Sequence, residues 1–376
     1  MSSINKISNQ YAQSRAEIEL VSTGGIDARF VQEWQSLAQN AAFANPFFEH
    51  WFLNQALGSF EQYDTVYLLV ARDVATRQMV GLVPIVKKLE YRKIPLPYFQ
   101  TWIHPFCFNG IPLIARDWTT AFYEAAAAWI DTSSENARFL QLLAHPYSPP
   151  IKSVIDDGFG SSRVFVQNVF ERTYLEKKFP ALDTFDGYFK KTISSKHRSN
   201  LRRMKRRLGD KGKLTLGEMK ITNHLIEDYL SLEKRGWKNP KNHGLKNDQV
   251  AINDQFIKSL LLNGAQDGRV YCRGMKIDGR PIAMSFQFMG NDHIAGFKTV
   301  YDETYAAYSP SVHVLMDVIK DYFKDPTIKS FDSCSQAGNS LLMRLLSDRL
   351  PIAQLNLTQS NRLDRALMSV LDIVGK

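Results

Sequence analysis

Apolar and polar residues alternate along the chain in a way that predicts two successive series of helices and strands. In the first half, helical spacing is clear over 28–42 and 46–60, and two strands at 65–72 and 79–87 flank a polar turn. The pattern then predicts a helix over 119–131, a strand over 138–143, a short helix over 151–156 and a strand over 163–170.

The second half repeats this order. Helical spacing over 223–235 and 254–263 is followed by apolar runs at 269–277, 281–289 and 293–300, which predict three strands. The remaining pattern predicts a helix over 312–323, a strand over 329–333, a helix over 340–349 and a strand over 352–357. The shared order predicts a mixed α/β fold (α+β, with mixed sheets) and an internal duplication.

Proline and polar residues interrupt the periodicity near 177–187, where we expect the boundary between the halves. The predicted domains are therefore 1–180 and 181–376. With 44% hydrophobic residues in a chain of 376, each half has enough apolar side chains for a packed core.

Composition excludes several classes of protein. The first residues carry no apolar run, and no later window approaches the ~20 apolar residues of a transmembrane helix, so we expect a soluble, cytoplasmic protein. Three cysteines, Cys107, Cys272 and Cys334, lie far apart, and the histidines show no ligand spacing. We therefore expect neither a disulfide framework nor a metal site.

The net charge of +9 is concentrated in one segment. Nine Lys or Arg residues lie within 196–213 against the single Asp210. A solvated helix face is the usual explanation, but self-repulsion here favours a polyanionic partner, either substrate phosphates or nucleic acid. Arg198 and Arg202 are the candidate substrate-binding residues of this segment, which has no interleaved aromatic residues for stacking bases.

Candidate chemistry is densest in KTVYDETYAAYSPSVH, residues 298–313. This segment joins a predicted strand to a helix N-terminus, where free backbone N–H groups and the helix dipole can hold a phosphate. An ordinary Ser-Pro helix cap is the alternative. The candidate donor-binding residues are Lys298, Ser309, Ser311, Val312 and His313.

The same segment contains three tyrosines. Tyr308 or Tyr305 could donate a proton to a leaving thiolate, although loop aromatics more often serve packing. Tyr301 and Asp302 are candidate substrate contacts.

Two carboxylates are candidate general bases. Glu233 lies in SLEKRGWK at a helix end, where Trp237 and Lys238 could contact the substrate. Asp332 ends a predicted strand, and strand ends commonly face the crevice of an α/β sheet. A solvated Glu233 and a core Trp237 are the alternatives.

Other enzyme classes lack their motifs in this chain. Convincing G-x-G-x-x-G, Walker, G-x-S-x-G and D-x-D patterns are absent from the sequence. The chain therefore does not look like a dehydrogenase, kinase, esterase or sugar-nucleotide glycosyltransferase.

Five segments together resemble the GNAT-fold acyltransferases of the CelD-like (cellulose/polysaccharide biosynthesis) group, relatives of the tandem-domain FemAB peptidyltransferases. The segments are SSKHRSNLRRMKRRLGDKG, LEKRGWK, RPIAMSFQF, FKTVYDETYAAYSPSVHVL and FDSC. The resemblance implies two tandem GNAT-like domains and an acyl donor, acyl-CoA, whose pyrophosphate lies at the 309–313 turn. Two departures are Ser311, where the family usually has glycine, and SQAGNSLLMRLL after FDSC in place of a Gly-Asp element.

The resulting hypothesis is direct acyl transfer from acyl-CoA to an amine or hydroxyl of a small-molecule or saccharide acceptor. Glu233 or Asp332 would act as the base, and Tyr308 or Tyr305 as the acid. One alternative is aminoacyl transfer from aminoacyl-tRNA, with RNA phosphates held by the basic helix 196–213. Another is a non-catalytic GNAT-fold protein that binds a polyanion or a protein partner.

Overall fold

The protein is described by a computed structural model covering residues 14–132, 137–177, 184–236 and 239–374. Contacts divide the chain into two compact units. The first unit contains the chain up to Glu171 together with the part from Leu350 onward, and the second unit is Arg172–Arg349.

The first unit is built mainly from the first half of the chain. Its elements are β1 (Ala16–Ser22), α1 (Ala28–Gln39), α2 (His50–Phe60), β2 (Val66–Asp73), β3 (Met79–Lys88), β4 (Tyr98–Thr101), β5 (Leu113–Ile114), α3 (Thr119–Thr132), β6 (Phe139–Pro146), α4 (Pro149–Ile155) and the first part of β7 (Val164–Glu176).

The second unit contains the end of β7 and the elements that follow it. These are α5 (Phe185–Thr192), α6 (Ser195–Gly209), β8 (Leu214–Glu218), α7 (Asn223–Arg235), α8 (Asn247–Gln266), β9 (Val270–Ile277), β10 (Arg280–Met289), β11 (His293–Tyr301), α9 (Pro310–Lys324), β12 (Ser330–Asp332) and α10 (Ser340–Leu345). The chain closes with β13 (Asp348–Thr358) and α11 (Arg362–Val374).

Strand pairing follows the same succession in both units. In the first unit, β1 to β4 pair antiparallel in chain order, and β4 then pairs parallel with β6, which follows α3. In the second unit, β8 to β11 pair antiparallel, and β11 pairs parallel with β12, which follows α9. The predicted mixed α/β fold with a duplicated order is confirmed.

The compact units differ from the expected domains 1–180 and 181–376 at the boundary, which follows Glu171, and at the C-terminal end. Strand β13 pairs antiparallel with β6 from Ile352 to Thr358, so Leu350–Lys376 belongs with the first unit. A local apolar pattern predicts that β13 is a strand but carries no information about its partner, because register depends on tertiary contacts.

Helices cover both faces of the sheet in the second unit. Ala283 on β10 clusters with Val314 on α9, whereas Phe286, three residues later, meets Tyr229 on α7 edge to face with ring centroids 5.3 Å apart. Since successive strand residues point to opposite faces, α9 and α7 lie on opposite sides of β10. The candidate residues of the two helices therefore approach the sheet from different faces.

Strands β11 and β12 are paired over a short distance only. Their register runs from His293–Ser330 to Ala295–Asp332, although β11 continues to Tyr301. At the last contact, a Cβ placed on Gly296 would lie 2.7 Å from the carbonyl oxygen of Ser333. Glycine is needed here because the backbones touch before they separate.

Within the described ranges, none of the helices has the length and apolar character needed to cross a bilayer.

We predict that Gly296→Ala destabilises the second unit. The added methyl would sit 2.7 Å from a backbone oxygen that cannot rotate away, and such overpacking costs about 1–3 kcal/mol. Gly209→Ala is the matched control, because a Cβ there meets nothing within 4 Å and Gly209 is the last residue of α6. Urea unfolding should show a loss for Gly296→Ala and none for Gly209→Ala; equal stabilities would contradict the close approach.

Candidate active site in the second unit

The turn between β11 and α9 is fixed by its own polar groups. The carboxylate of Asp302 accepts bonds from the backbone N–H of Thr304 at 3.0 Å and from its hydroxyl at 2.7 Å, which starts a 3₁₀ segment over Glu303–Tyr308. Ser309 ends this segment in the left-handed region with φ 51°. A non-glycine residue in this conformation is strained, and such strain is concentrated at functional sites.

The start of α9 carries donors that have no partner among the described residues. Pro310 has no N–H, while the N–H groups of Val312 and His313 bond back to the carbonyl oxygen of Ser309 at 3.0 and 3.4 Å. Within the described ranges, no acceptor is recorded for the N–H of Ser311 or for the hydroxyls of Ser309 and Ser311. Both serines are half-buried and lie at the end of α9 where the helix dipole is positive.

His313 and Val312 lie beneath this surface rather than on it. Val312 belongs to the apolar core around α9, and the His313 side chain is 3% exposed. Burial, with a smaller effect of the Lys205 ammonium, lowers the pKa of His313 to about 4, although a bond to the carbonyl of Tyr308 opposes the shift. The imidazole is therefore neutral at pH 7 and contributes no cation for a phosphate.

The three loop tyrosines pack against an apolar cluster. Tyr301, Tyr305 and Tyr308 are half-buried beside a cluster that includes Leu208 on α6 and Val314 on α9. This packing matches the alternative considered for them in the sequence. A role for Tyr305 or Tyr308 as a proton donor remains a prediction.

Glu233 is a buried carboxylate held by two donors. It lies at the end of α7 with 6% exposure, and its Oε1 accepts bonds from the Tyr229 hydroxyl at 2.8 Å and from Lys298 Nζ at 3.3 Å. Burial and the neighbouring Glu233 raise the pKa of Tyr229 well above its ordinary value, so Tyr229 stays protonated and donates. Lys298 thus contacts the candidate base, and its expected role in binding the donor remains a prediction.

A small cavity of about 20 Å³ adjoins Glu233. Its lining comes from α7, from the end of β11 and from the following turn: Leu232, Glu233, Gly236, Thr299, Val300, Tyr301 and Glu303. Since this volume is near that of one water molecule, a substrate group would have to enlarge it by moving the turn.

Asp332 is engaged in structural contacts. Its Oδ2 lies 3.1 Å from Arg172 Nη1, and both side chains are buried, at 1% and 4% exposure. Its Oδ1 accepts the N–H of Cys334 at 2.7 Å, which forms a turn with φ 51° at Cys334. These contacts favour Glu233 over Asp332 as the base.

The remaining candidate substrate-binding residues differ in their surroundings. Arg198 bonds the carbonyl oxygens of Lys190 and Ile193 and so ties α6 to the end of α5, whereas Arg202 is exposed on α6. Trp237 and Lys238 lie outside the described residues.

Sequence reasoning missed a polar trio on β10 and β11. The hydroxyls of Ser285 and Thr299 are 2.7 Å apart, and Gln287 donates to Ser285 at 2.6 Å, with both β10 side chains at most 2% exposed. The sequence contains one sign of this trio: Ser285 and Gln287 are polar residues two positions apart in an otherwise apolar strand. A polar residue in a buried strand needs a hydrogen-bond partner. Tyr229 was also missed, although its i, i+4 spacing from Glu233 was visible.

Residues 195–338 match the family model described as an acetyltransferase (GNAT) domain. The second unit has the GNAT fold. With the same strand order in the first unit, the chain forms two tandem GNAT-like units. No curated protein sequence matches the chain significantly.

Solved structures share this fold at low sequence identity. FemX matches with a TM-score of 0.59 and 8% identity over 94% of this chain and 100% of its own. A conserved protein of unknown function from Bacteroides thetaiotaomicron matches with a TM-score of 0.56 and 10% identity over 89% and 98% of the two chains. L-PGS from Bacillus licheniformis reaches a TM-score of 0.50 with 11% identity over 91% and 95%. At these identities the likeness shows the fold alone.

Among the described residues, no cluster of His, Cys, Asp and Glu side chains is arranged to hold a metal ion.

We predict that His313 makes the protein less stable in acid. Its pKa is about 4 when folded and ordinarily 6.5, so the stabilisation is complete above pH 6.5 and is lost as pH falls towards 4. At pH 5 the loss is about 2 kcal/mol relative to pH 7.5. Urea unfolding at both pH values should show a smaller decrease for His313→Asn than for the wild type.

The control for this measurement is His224→Asn, because the side chain of His224 is 86% exposed. This variant should keep the full decrease. A decrease in His313→Asn equal to that of the wild type would contradict a buried neutral imidazole.

Proposed function

We propose that this protein transfers an acyl group from acyl-CoA to an amine or hydroxyl of a small-molecule or saccharide acceptor. The observation that carries the proposal is the sequence of features along β11 and α9. Strand β11 loses its neighbour β12 after Ala295, continues to Tyr301, and leads through one turn to the unpaired donors of Ser309 and Ser311. An extended strand edge followed by an anion site suits a ligand with an amide-containing arm and a pyrophosphate.

The serines fit a phosphate group in chemistry and position. Their hydroxyls and the Ser311 N–H donate without competing acceptors in the described residues, and the α9 dipole favours negative charge. Ser311 replaces the glycine usual in the CelD-like group. The serine side chain keeps a phosphate farther from the backbone than glycine would, but its hydroxyl is an additional hydrogen-bond donor.

The chemical step needs a nucleophile, a polarised carbonyl and a proton acceptor. The acceptor nitrogen or oxygen attacks the thioester carbonyl, a C–N or C–O bond forms, the C–S bond breaks, and CoA leaves as a thiolate. Glu233 takes the proton of the nucleophile directly or through one water, while Tyr229 and Lys298 hold its carboxylate in place. Tyr308 or Tyr305 then protonates the thiolate, as proposed from the sequence.

Glu233 is the preferred base because of its surroundings. It adjoins the small cavity beside Tyr301, whereas Asp332 is engaged by Arg172 and by the N–H of Cys334. Removing Asp332 from that ion pair would leave a buried guanidinium without its partner charge, at a cost of about 3–5 kcal/mol.

Aminoacyl transfer from aminoacyl-tRNA is the second candidate. The supporting observation is α6, which exposes Lys196, Arg202, Arg203, Lys205, Arg206 and Arg207. A row of exposed cations suits RNA phosphates and would make binding weaken steeply with salt. The CoA proposal is preferred because the hydroxyls of Ser309 and Ser311 and the Ser311 N–H, at the start of α9, suit a single pyrophosphate.

We predict that Glu233→Gln lowers acyl transfer at least about tenfold, since a general base typically contributes 10²- to 10⁴-fold. The amide can still accept bonds from Tyr229 and Lys298 but cannot take a proton. Release of free thiol from acetyl-CoA with hydroxylamine as a generic acceptor measures the rate without knowledge of the natural acceptor.

Glu227→Gln is the matched control, because Glu227 is exposed on the same helix. Glu227→Gln should keep the wild-type rate. A wild-type rate in Glu233→Gln would reject the proposed base, and absence of thiol release from the wild type would count against acyl-CoA as the donor.

Tyr308→Phe should lower turnover with little loss of donor affinity.

A further inference from the structure

A polar groove in the GNAT-fold unit is lined by the β9–β10 hairpin, by α7 and by the turn before α9. It has a volume of about 920 Å³, within the usual range for small-molecule sites. Its cationic lining comes from five side chains: Lys211, Lys220, Arg235, Lys276 and Arg280. Residues 309–313 do not contribute to its lining, whereas Asp302 and Tyr305 of the preceding turn do.

Hydrogen bonds fix the backbone of the hairpin that carries two of the cations. Lys276 and Arg280 lie on either side of the tight turn that joins β9 to β10. Asp278 in that turn exchanges bonds with Lys213, because its carboxylate accepts the Lys213 N–H at 2.8 Å and its own N–H donates to the Lys213 carbonyl at 3.1 Å. This pairing places Lys211, two residues earlier, beside the same turn. The positive charges are thus carried on ordered backbone.

Within the described parts of the chain, four of these cations form no ion pair: Lys211, Lys220, Lys276 and Arg280. Like charges gathered in one groove repel one another, and an anion bound among them is attracted by several cations at once. Such an arrangement is typical of a site whose ligand supplies the missing charge.

The balance of charge indicates the size of the ligand. Three carboxylates, Asp228, Asp278 and Asp302, share the groove with the five cations, which leaves a net charge of +2. A phosphate monoester carries about −1.5 to −2 at pH 7. A nucleic acid strand would bring the carboxylates against further phosphates, which favours a single phosphate group.

The groove is lined in part by α7, which carries the candidate base Glu233, and by the turn before α9. Asp302 and Tyr305 belong to the turn before α9, and Leu225 and Asp228 lie on α7, whose last turn carries Glu233. An acceptor anchored in the groove would therefore extend along α7 and the turn towards the proposed reaction centre.

We infer that this groove binds the phosphate of a phosphorylated acceptor, with Lys276 and Arg280 as its principal contacts. The part of this inference that concerns the acceptor rests on the proposed acyl transfer. The phosphate site itself stands on the groove alone.

The test uses glucose 6-phosphate as the probe, measured by isothermal titration against the full chain. Wild-type protein should bind it at least tenfold more tightly than glucose. The double variant Lys276→Gln, Arg280→Gln should weaken binding about tenfold or more. The control Arg206→Gln, Arg207→Gln removes the same charge from α6, outside the groove, and should stay within twofold of wild type.

Three outcomes would overturn the inference. These are failure of glucose 6-phosphate to bind, equal weakening in both double variants, and binding of a 20-nucleotide poly(U) RNA in its place. CoA titrations separate this result from the proposed function. The groove variant should bind CoA as the wild type does, and a wild type that binds glucose 6-phosphate but no CoA would contradict the proposed donor and leave the groove assignment standing.

Discussion

The buried contacts of Asp332 determine where β12 ends, and the rest of the candidate site depends on that point. One carboxylate oxygen pairs with Arg172 on β7, and the other accepts the N–H of Cys334 and turns the chain out of the sheet. Because β12 ends there, no strand among the described residues pairs with β11 on that side beyond Gly296. A free strand edge next to a helix N-terminus is a binding geometry that neither element provides alone.

The elements of this fold could be predicted from local patterns wherever one pattern dominates. Helix α7 was predicted over its full length, and the β9–β10 hairpin follows from two apolar runs around Asp278-Gly279. The partner of β13 could not be predicted, because pairing with β6 depends on contacts between residues about 200 positions apart.

The candidate site was predictable in outline and less so in detail. The start of α9 followed from its Ser-Pro sequence and the strand before it. The burial of the His313 side chain did not, because it depends on the packing of α6 against the turn and against α9. The cationic groove escaped notice for a related reason, since Lys211, Lys220 and Arg235 come from segments separate from the β9–β10 hairpin and meet it only in the folded unit.

The central claim is that the start of α9 holds the phosphates of an acyl donor. Isothermal titration of CoA against wild type and the double variant Ser309→Ala, Ser311→Ala tests it most directly, with the exposed Ser231→Ala as control. The account predicts binding to wild type and the control, and affinity about tenfold or more weaker in the double variant, since bonds to charged groups contribute about 1.5–3 kcal/mol each. No CoA binding by the wild type, or equal affinity in all three proteins, would contradict it.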